Sequence, residues 1–210
     1  MLKDGLFDIN LPQPSASGNV LTSDGDNWLS QAPAGGGSMN LIQSVTLSNG
    51  DGTATVTGMD STYDRYVIMG SQIRMQSSAS QILVKREVAG AYAMNSRYSQ
   101  FNFQSNTSSV STGNQNGSNQ TFVRIATSLD STNANSTTMF EFYVDKPSDT
   151  LLNKLYSYDL RSVIATDPYV KQSTGVVYDQ ITSAVTGIRF YPNAGTFLSG
   201  AIRLYGISNS

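Results

Sequence analysis

The chain has 210 residues, a mass of 22.6 kDa, a formal charge of −2 and a sequence pI of about 4.9. Only 13% of it is charged, whereas Ser, Thr, Asn and Gln together occupy 77 positions, so neutral polar groups cover its surface. With no Cys and no His, disulfides, thiolate nucleophiles, Ser-His-Asp and Cys-His catalysis, and zinc or iron sites that need imidazole or thiolate are excluded.

Residues 1–40 read as an attachment arm. Leu6, Phe7, Ile9 and Leu11 alternate loosely, and Pro12, Pro14, Gly18, Gly25, Pro33 and the run Gly35-Gly36-Gly37 then interrupt the chain too often for a long regular element. Val20, Leu21 and Trp28, either side of Asp24-Gly25, predict a short hairpin, and the triple glycine predicts a hinge. The start, Met1-Leu2-Lys3-Asp4-Gly5, has no apolar signal core, and no apolar run approaches the roughly 20 residues that span a bilayer. The expectation is a soluble chain without membrane insertion.

From 41 to 210 the period is two. Between Asp64 and Met75, Val67, Met69, Ser71, Ile73 and Met75 face one way, and Tyr66, Ile68, Gly70, Gln72 and Arg74 the other. Further runs follow at Ile82–Val88, Phe122–Leu129, Phe140–Asp145, Tyr156–Ile164, Val176–Tyr178, Ile188–Phe190 and Ile202–Tyr205, roughly nine strands by pattern. Turns fall at places such as Asn49-Gly50-Asp51-Gly52, and Asp149–Leu155 predicts one helical turn at most. The low-complexity stretch Ser105–Gln120, with Val110 as its single apolar residue, reads as a long solvated loop, with contact to a partner as the alternative. These patterns predict an all-β fold, an antiparallel two-sheet β-sandwich of jelly-roll type behind an extended N-terminal arm.

No constellation of catalytic or cofactor chemistry stands out. Asp24, Asp26 and Asn27, or Asn49 and Asp51, offer oxygens, but neither stretch has the spacing and closing Glu of a calcium loop, and turn chemistry explains both. A glycosidase needs two carboxylates about 5 to 10 Å apart. Glu87 and Glu141 lie in strand patterns near Lys85, Arg86 and Lys146, where cross-strand ion pairing is the plainer expectation. The four Asn-x-Ser/Thr triplets, at Asn106, Asn116, Asn119 and Asn135, are what this composition gives by chance. No basic face matches a phosphate backbone, so no nucleic-acid partner is expected. The chain therefore reads as a non-enzyme with no cofactor and no metal. Tyr63, Tyr92, Tyr98 and Tyr169, near turns, are candidates for stacking on sugar rings.

Two stretches go beyond composition. Ser17–Pro33, containing Val20-Leu21-Thr22-Ser23-Asp24-Gly25 and Trp28, resembles the VLTSDG-x-x-W module of fibre and collar proteins of tailed bacteriophages. Thr186–Tyr191 with Ser199–Ile207, ending Ile202-Arg203-Leu204-Tyr205-Gly206-Ile207, is similar to the C-terminus of phage virion proteins with a sandwich body. Asp64–Ile68 and Ser80–Arg86 resemble that family's early strands. The resemblance implies a structural protein on the virion exterior: a short spike, head fibre or capsid decoration. It also implies a homo-oligomer, a trimer, whose arm meets phage capsid or tail proteins. Leu6, Phe7, Ile9, Val20, Leu21 and Trp28 are the expected anchoring contacts. The alternative is a glycan-binding adhesin or receptor-binding tail fibre protein for the bacterial surface.

Overall fold

The structure, a computed structural model, describes residues 20–23, 28–31, 39–77, 80–105, 110–125, 129, 135–164 and 169–208. Among them are fifteen strands and no helix, in keeping with the period-two patterning and the frequency of Thr, Val, Ile and Tyr. The chain divides between Gly37 and Ser38 into two units. In the first, β1 (Val20–Ser23) and β2 (Trp28–Gln31) form an antiparallel hairpin, with Ser23 opposite Trp28 and Val20 opposite Gln31. Leu6, Phe7 and Ile9, three of the expected anchoring residues, lie outside the described residues.

The second unit is an antiparallel two-sheet β-sandwich. Its larger sheet runs in the order β3 (Met39–Leu47), β15 (Phe197–Ile207), β5 (Arg65–Met75), β11 (Thr137–Asp145), β12 (Lys154–Ile164), β13 (Tyr169–Asp179), β8 (Ser96–Ser105), β9 (Val110–Gln120). The smaller sheet runs β10 (Val123–Arg124), β6 (Ile82–Val88), β14 (Gly187–Pro192), β4 (Ala54–Thr57). The short β7 (Ala91–Ala93) joins the same edge of β6 as β10, because β14 occupies the other edge along its length. The first and last strands of the unit, β3 and β15, lie side by side, a jelly-roll-like closure of distant segments.

The two sheets meet over aromatic rings. Phe190 of the small sheet reaches across to Phe140 and Phe142 of the large one, with ring centroids 4.9 and 5.9 Å apart, and Phe142 stacks on Tyr156 and Tyr158. Around them Val56, Ile82, Val84 and Ile188 face Ile68, Leu160, Val177, Ile202 and Leu204, all with at most 1% exposure. Each such side chain contributes about 1.5–3 kcal/mol by leaving water. In a chain without disulfides this core is the main stabilising term.

The unbroken alternation expected for β5 is interrupted. Tyr66 and Ile68 point inward in its first half and Ile73 and Met75 in its second, so the strand changes phase between Gly70 and Ile73. A bulge causes it: Phe140 pairs with Gly70 and Thr138 with Ile73, setting an extra residue of β5 against β11. Gln72 takes a positive φ of 53° there, and the register with β15 shifts at the same level. Gly200 of β15 sits beside this kink with φ +131°, and a Cβ there would stand 2.9 Å from the Ile73 Cα. Gly206 makes room for the Tyr63 ring.

Two further expectations are corrected. Asp149–Leu155 forms no helical turn: the Asp149 carboxylate accepts the Leu151 and Leu152 N–H groups at 2.6 and 3.0 Å, and β12 begins at Lys154. Those N–H bonds hold the Asp149 carboxyl below its usual range. Most of the polar stretch expected as a loop, Val110–Gln120, is the edge strand β9, paired to β8 from Ser105–Val110 to Ser96–Gln120. Backbone pairing needs no apolar side chains where one edge and much of the surface face water. Asp51 is a turn residue, its carboxylate accepting the Ser48 N–H at 2.7 Å.

Replacing Gly200 by Ala forces both an unfavourable φ and a clash with the β5 backbone. It is expected to destabilise the sandwich by about 1–3 kcal/mol, read as a lowered urea midpoint, whereas Ala at exposed Gly113, with no atom within 4 Å of its Cβ position, should change little.

Candidate functional site

The chain crosses from the small sheet to the large one between β7 and β8, and a buried ion pair sits at that corner. Arg86 Nε lies 2.6 Å from Asp179 Oδ2, with side-chain exposures of 8% and 0%. Arg86 Nη1 donates to the Ala93 carbonyl at 2.9 Å, and the Asn95 N–H donates to Asp179 Oδ1 at 3.1 Å. Burial pushes the Asp179 carboxyl up, while Arg86 and the Asn95 N–H pull it back. Lys154, directly opposite Asp179 on β12, is also buried, and its Nζ donates to the Asp149 and Leu152 carbonyls. The sequence reading placed Arg86 in a surface pair with a glutamate. Its inward position on β6, two residues beyond Val84, is the signal that was there to be read.

Neither glutamate makes an ion pair among the described residues: each is held by a tyrosine hydroxyl. Tyr92 donates to Glu87 Oε2 at 3.3 Å and Tyr143 to Glu141 Oε2 at 2.6 Å. The bond to Glu141, together with burial, raises the Tyr143 phenol to about 12.

Glu141 lines a groove of about 210 Å³ on the outer face of the large sheet, with Met69, Met139, Asp159, Arg161, Arg203 and Tyr205. Register builds it. Arg203 stands opposite Met69, Met69 opposite Glu141, and Glu141 opposite Asp159, so two carboxylates face each other directly. Like charges so placed repel, and each is fixed separately. Asp159 accepts from Gln172 Nε2 at 3.0 Å and lies 3.1 Å from Arg161 Nε, while Arg203 Nη1 donates to Ser71 Oγ at 3.1 Å. One row away Val67, 1% exposed though it faces outward, lies between Tyr143 and Tyr205, side chains large enough to cover it. The groove offers fixed acceptors, guanidinium donors and a thioether and tyrosine floor, a combination suited to hydroxyl-rich ligands.

The four tyrosines singled out from sequence are not gathered into one surface. Tyr63 packs edge-on against Tyr66 at 5.6 Å. Tyr98 is an interior residue, 8% exposed, whose ring lies over Gly117, so it does not meet a ligand at the surface. Tyr92 stands on the outer face of the small sheet, where the Arg189 guanidinium lies 3.4 Å from its ring centre. Tyr169 pairs with Ile164 through the backbone, and its side chain lies outside the described residues. Val20, Leu21 and Trp28 are in the hairpin strands, and their side chains too lie outside the description.

Truncating Asp179 to Ala leaves Arg86 buried without its partner and should cost about 3–5 kcal/mol, whereas Arg86→Met with Asp179→Leu should recover most of that loss; chemical denaturation of the three proteins measures both. In an ultraviolet titration, the difference between the wild type and Tyr143→Phe should show a phenol ionising near pH 12. The same difference taken in the Glu141→Gln background should ionise at lower pH, since the acceptor charge is gone.

Comparison with family models, with curated proteins and with solved structures finds no significant match to this chain.

Proposed function

We propose that the chain is a non-enzymatic structural protein of a phage virion exterior, a short spike, head fibre or capsid decoration, held to the particle by its N-terminal arm. The observation that carries this reading is the division at Gly37: a hairpin within the VLTSDG stretch belongs to one unit, and the sandwich after it buries its own core. A separate attachment unit and a self-sufficient body are what display on a particle requires. The IRLYGI ending supports it in a second way, because β15 lies between β3 and β5 and ties the body's first strand into the sheet.

The same reading makes the protein a homo-oligomer, a trimer, whose arms bind capsid or tail proteins with avidity. Leu155, Val176 and Phe101, each about half exposed on the outer face of the large sheet, supply apolar surface of the kind that copies of one chain cover. A second reading, a glycan-binding adhesin for the bacterial surface, is favoured by the groove between Arg203 and Asp159, whose polar groups are already held in place.

Deleting residues 1–36 should leave a protein with β-type circular dichroism and a cooperative melt that no longer joins the particle. Incorporation of the truncated chain at normal copy number would remove the attachment role of the arm.

A further inference from the structure

The outer face of the small sheet carries an arrangement that the attachment reading does not use. Arg189 of β14 stands directly opposite Lys85 of β6, placing two cations side by side. Arg124 of β10 and Tyr191 of β14 both stand opposite Leu83, on the same face. Against these three cations the face carries Glu87, already occupied by the Tyr92 hydroxyl. This concentration stands out in a chain whose net charge is −2.

Like charges directly opposite on neighbouring strands destabilise a sheet, and here each is accommodated by a ring. The Arg189 guanidinium stacks on Tyr92 at 3.4 Å and its Nε donates to Thr55 Oγ1 at 3.4 Å, while Lys85 Nζ lies 5.5 Å over Tyr191. Neither cation has a carboxylate partner among the described residues, and the residues lining the space between them are Thr53, Lys85, Tyr92, Arg189 and Tyr191. The cleft, about 130 Å³, thus has hydroxyls, aromatic edges and two cations, with no aliphatic side chain and no acid.

We propose that this cleft binds an anionic glycan, seating one carboxylate or phosphate group of the polymer between Lys85 and Arg189 with the sugar against Tyr92 and Tyr191. The anion relieves the repulsion of the opposed cations and gains charge-assisted bonds, and the threonine and tyrosine hydroxyls meet the sugar. Two cations beside two tyrosine rings suit an anionic sugar polymer, whose charge the cations meet and whose rings the tyrosines meet. The proposal rests on the adhesive reading and gives it a ligand class.

The test is native electrophoresis of the full chain through gels containing polygalacturonate, a poly(glycerol phosphate) chain or neutral dextran. Retardation by at least one anionic polymer and not by dextran is expected, and which polymer retards identifies carboxylate or phosphate as the group held. The K85Q/R189Q variant should bind about tenfold or more weakly, and R97Q, which removes an exposed cation of the large sheet, should bind as the native chain does. Should the double variant not fold, K85E alone serves. No retardation by either anionic polymer, equal retardation of the double variant, or an equal loss in R97Q would overturn the proposal. Retardation by dextran alone would overturn it while leaving an adhesive role in place. A change of oligomeric state in K85Q/R189Q without loss of glycan binding would equally overturn it, by making this face a contact between copies.

Discussion

Two opposite charges withdrawn from water at the corner between the sheets govern how the sandwich is assembled. Removing Arg86 and Asp179 from solvent costs several kcal/mol per ion, and the cost is offset only when the Ala93 carbonyl and the Asn95 N–H are also in place. Those backbone groups lie at the end of β7 and in the short crossing to β8, either side of buried Met94. The pair is therefore satisfied only if β6 of one sheet and β13 of the other are in their native registers at once. Net stability comes chiefly from the apolar core, where Phe190 meets Phe140 and Phe142.

Much of this was legible from residues alone. Alternation within Ile82–Val88, Phe140–Asp145 and Ile202–Tyr205 marked strands, and the structure buries Ile82 and Val84, Phe140, Phe142 and Val144, and Ile202 and Leu204, because a half-buried strand must repeat every second residue. The same rule does not hold unbroken along β5. A run such as Tyr66 to Met75 is apolar on both faces, and the bulge at Gln72 is fixed by Gly200 on a strand far away in sequence. Val67 shows the ambiguity directly: it is apolar and buried, yet it lies outside the core, beneath tyrosines of the opposite face. Val110–Gln120 was unreadable as a strand for a different reason, since its pairing is a property of the β8 backbone and leaves no apolar trace.

Surface chemistry was less legible than the fold. That Glu141 faces Asp159, or that Lys85 faces Arg189, follows from register between strands, and no local pattern announces it. Nearness to turns pointed to four tyrosines, of which Tyr98 proved interior and Tyr63 packed upon Tyr66. Tyr92 takes part in a charged surface cleft, and it does so through Arg189, a residue that composition gave no reason to single out. The hairpin flanking Asp24-Gly25 was readable because its signal is local.

The polar edge strand β9 has a consequence for how the protein changes over generations. Thr112, Gly113, Asn116, Ser118 and Asn119 are exposed, and the strand is joined to the sheet by main-chain bonds that do not depend on side-chain identity. Gly117, under the Tyr98 ring, and Asn119, with a positive φ of 53°, are positions where substitution meets resistance. The outer margin of the large sheet can accordingly be rewritten residue by residue while the aromatic core and the buried ion pair stay untouched. Sequence drift has there a surface that folding constrains very little.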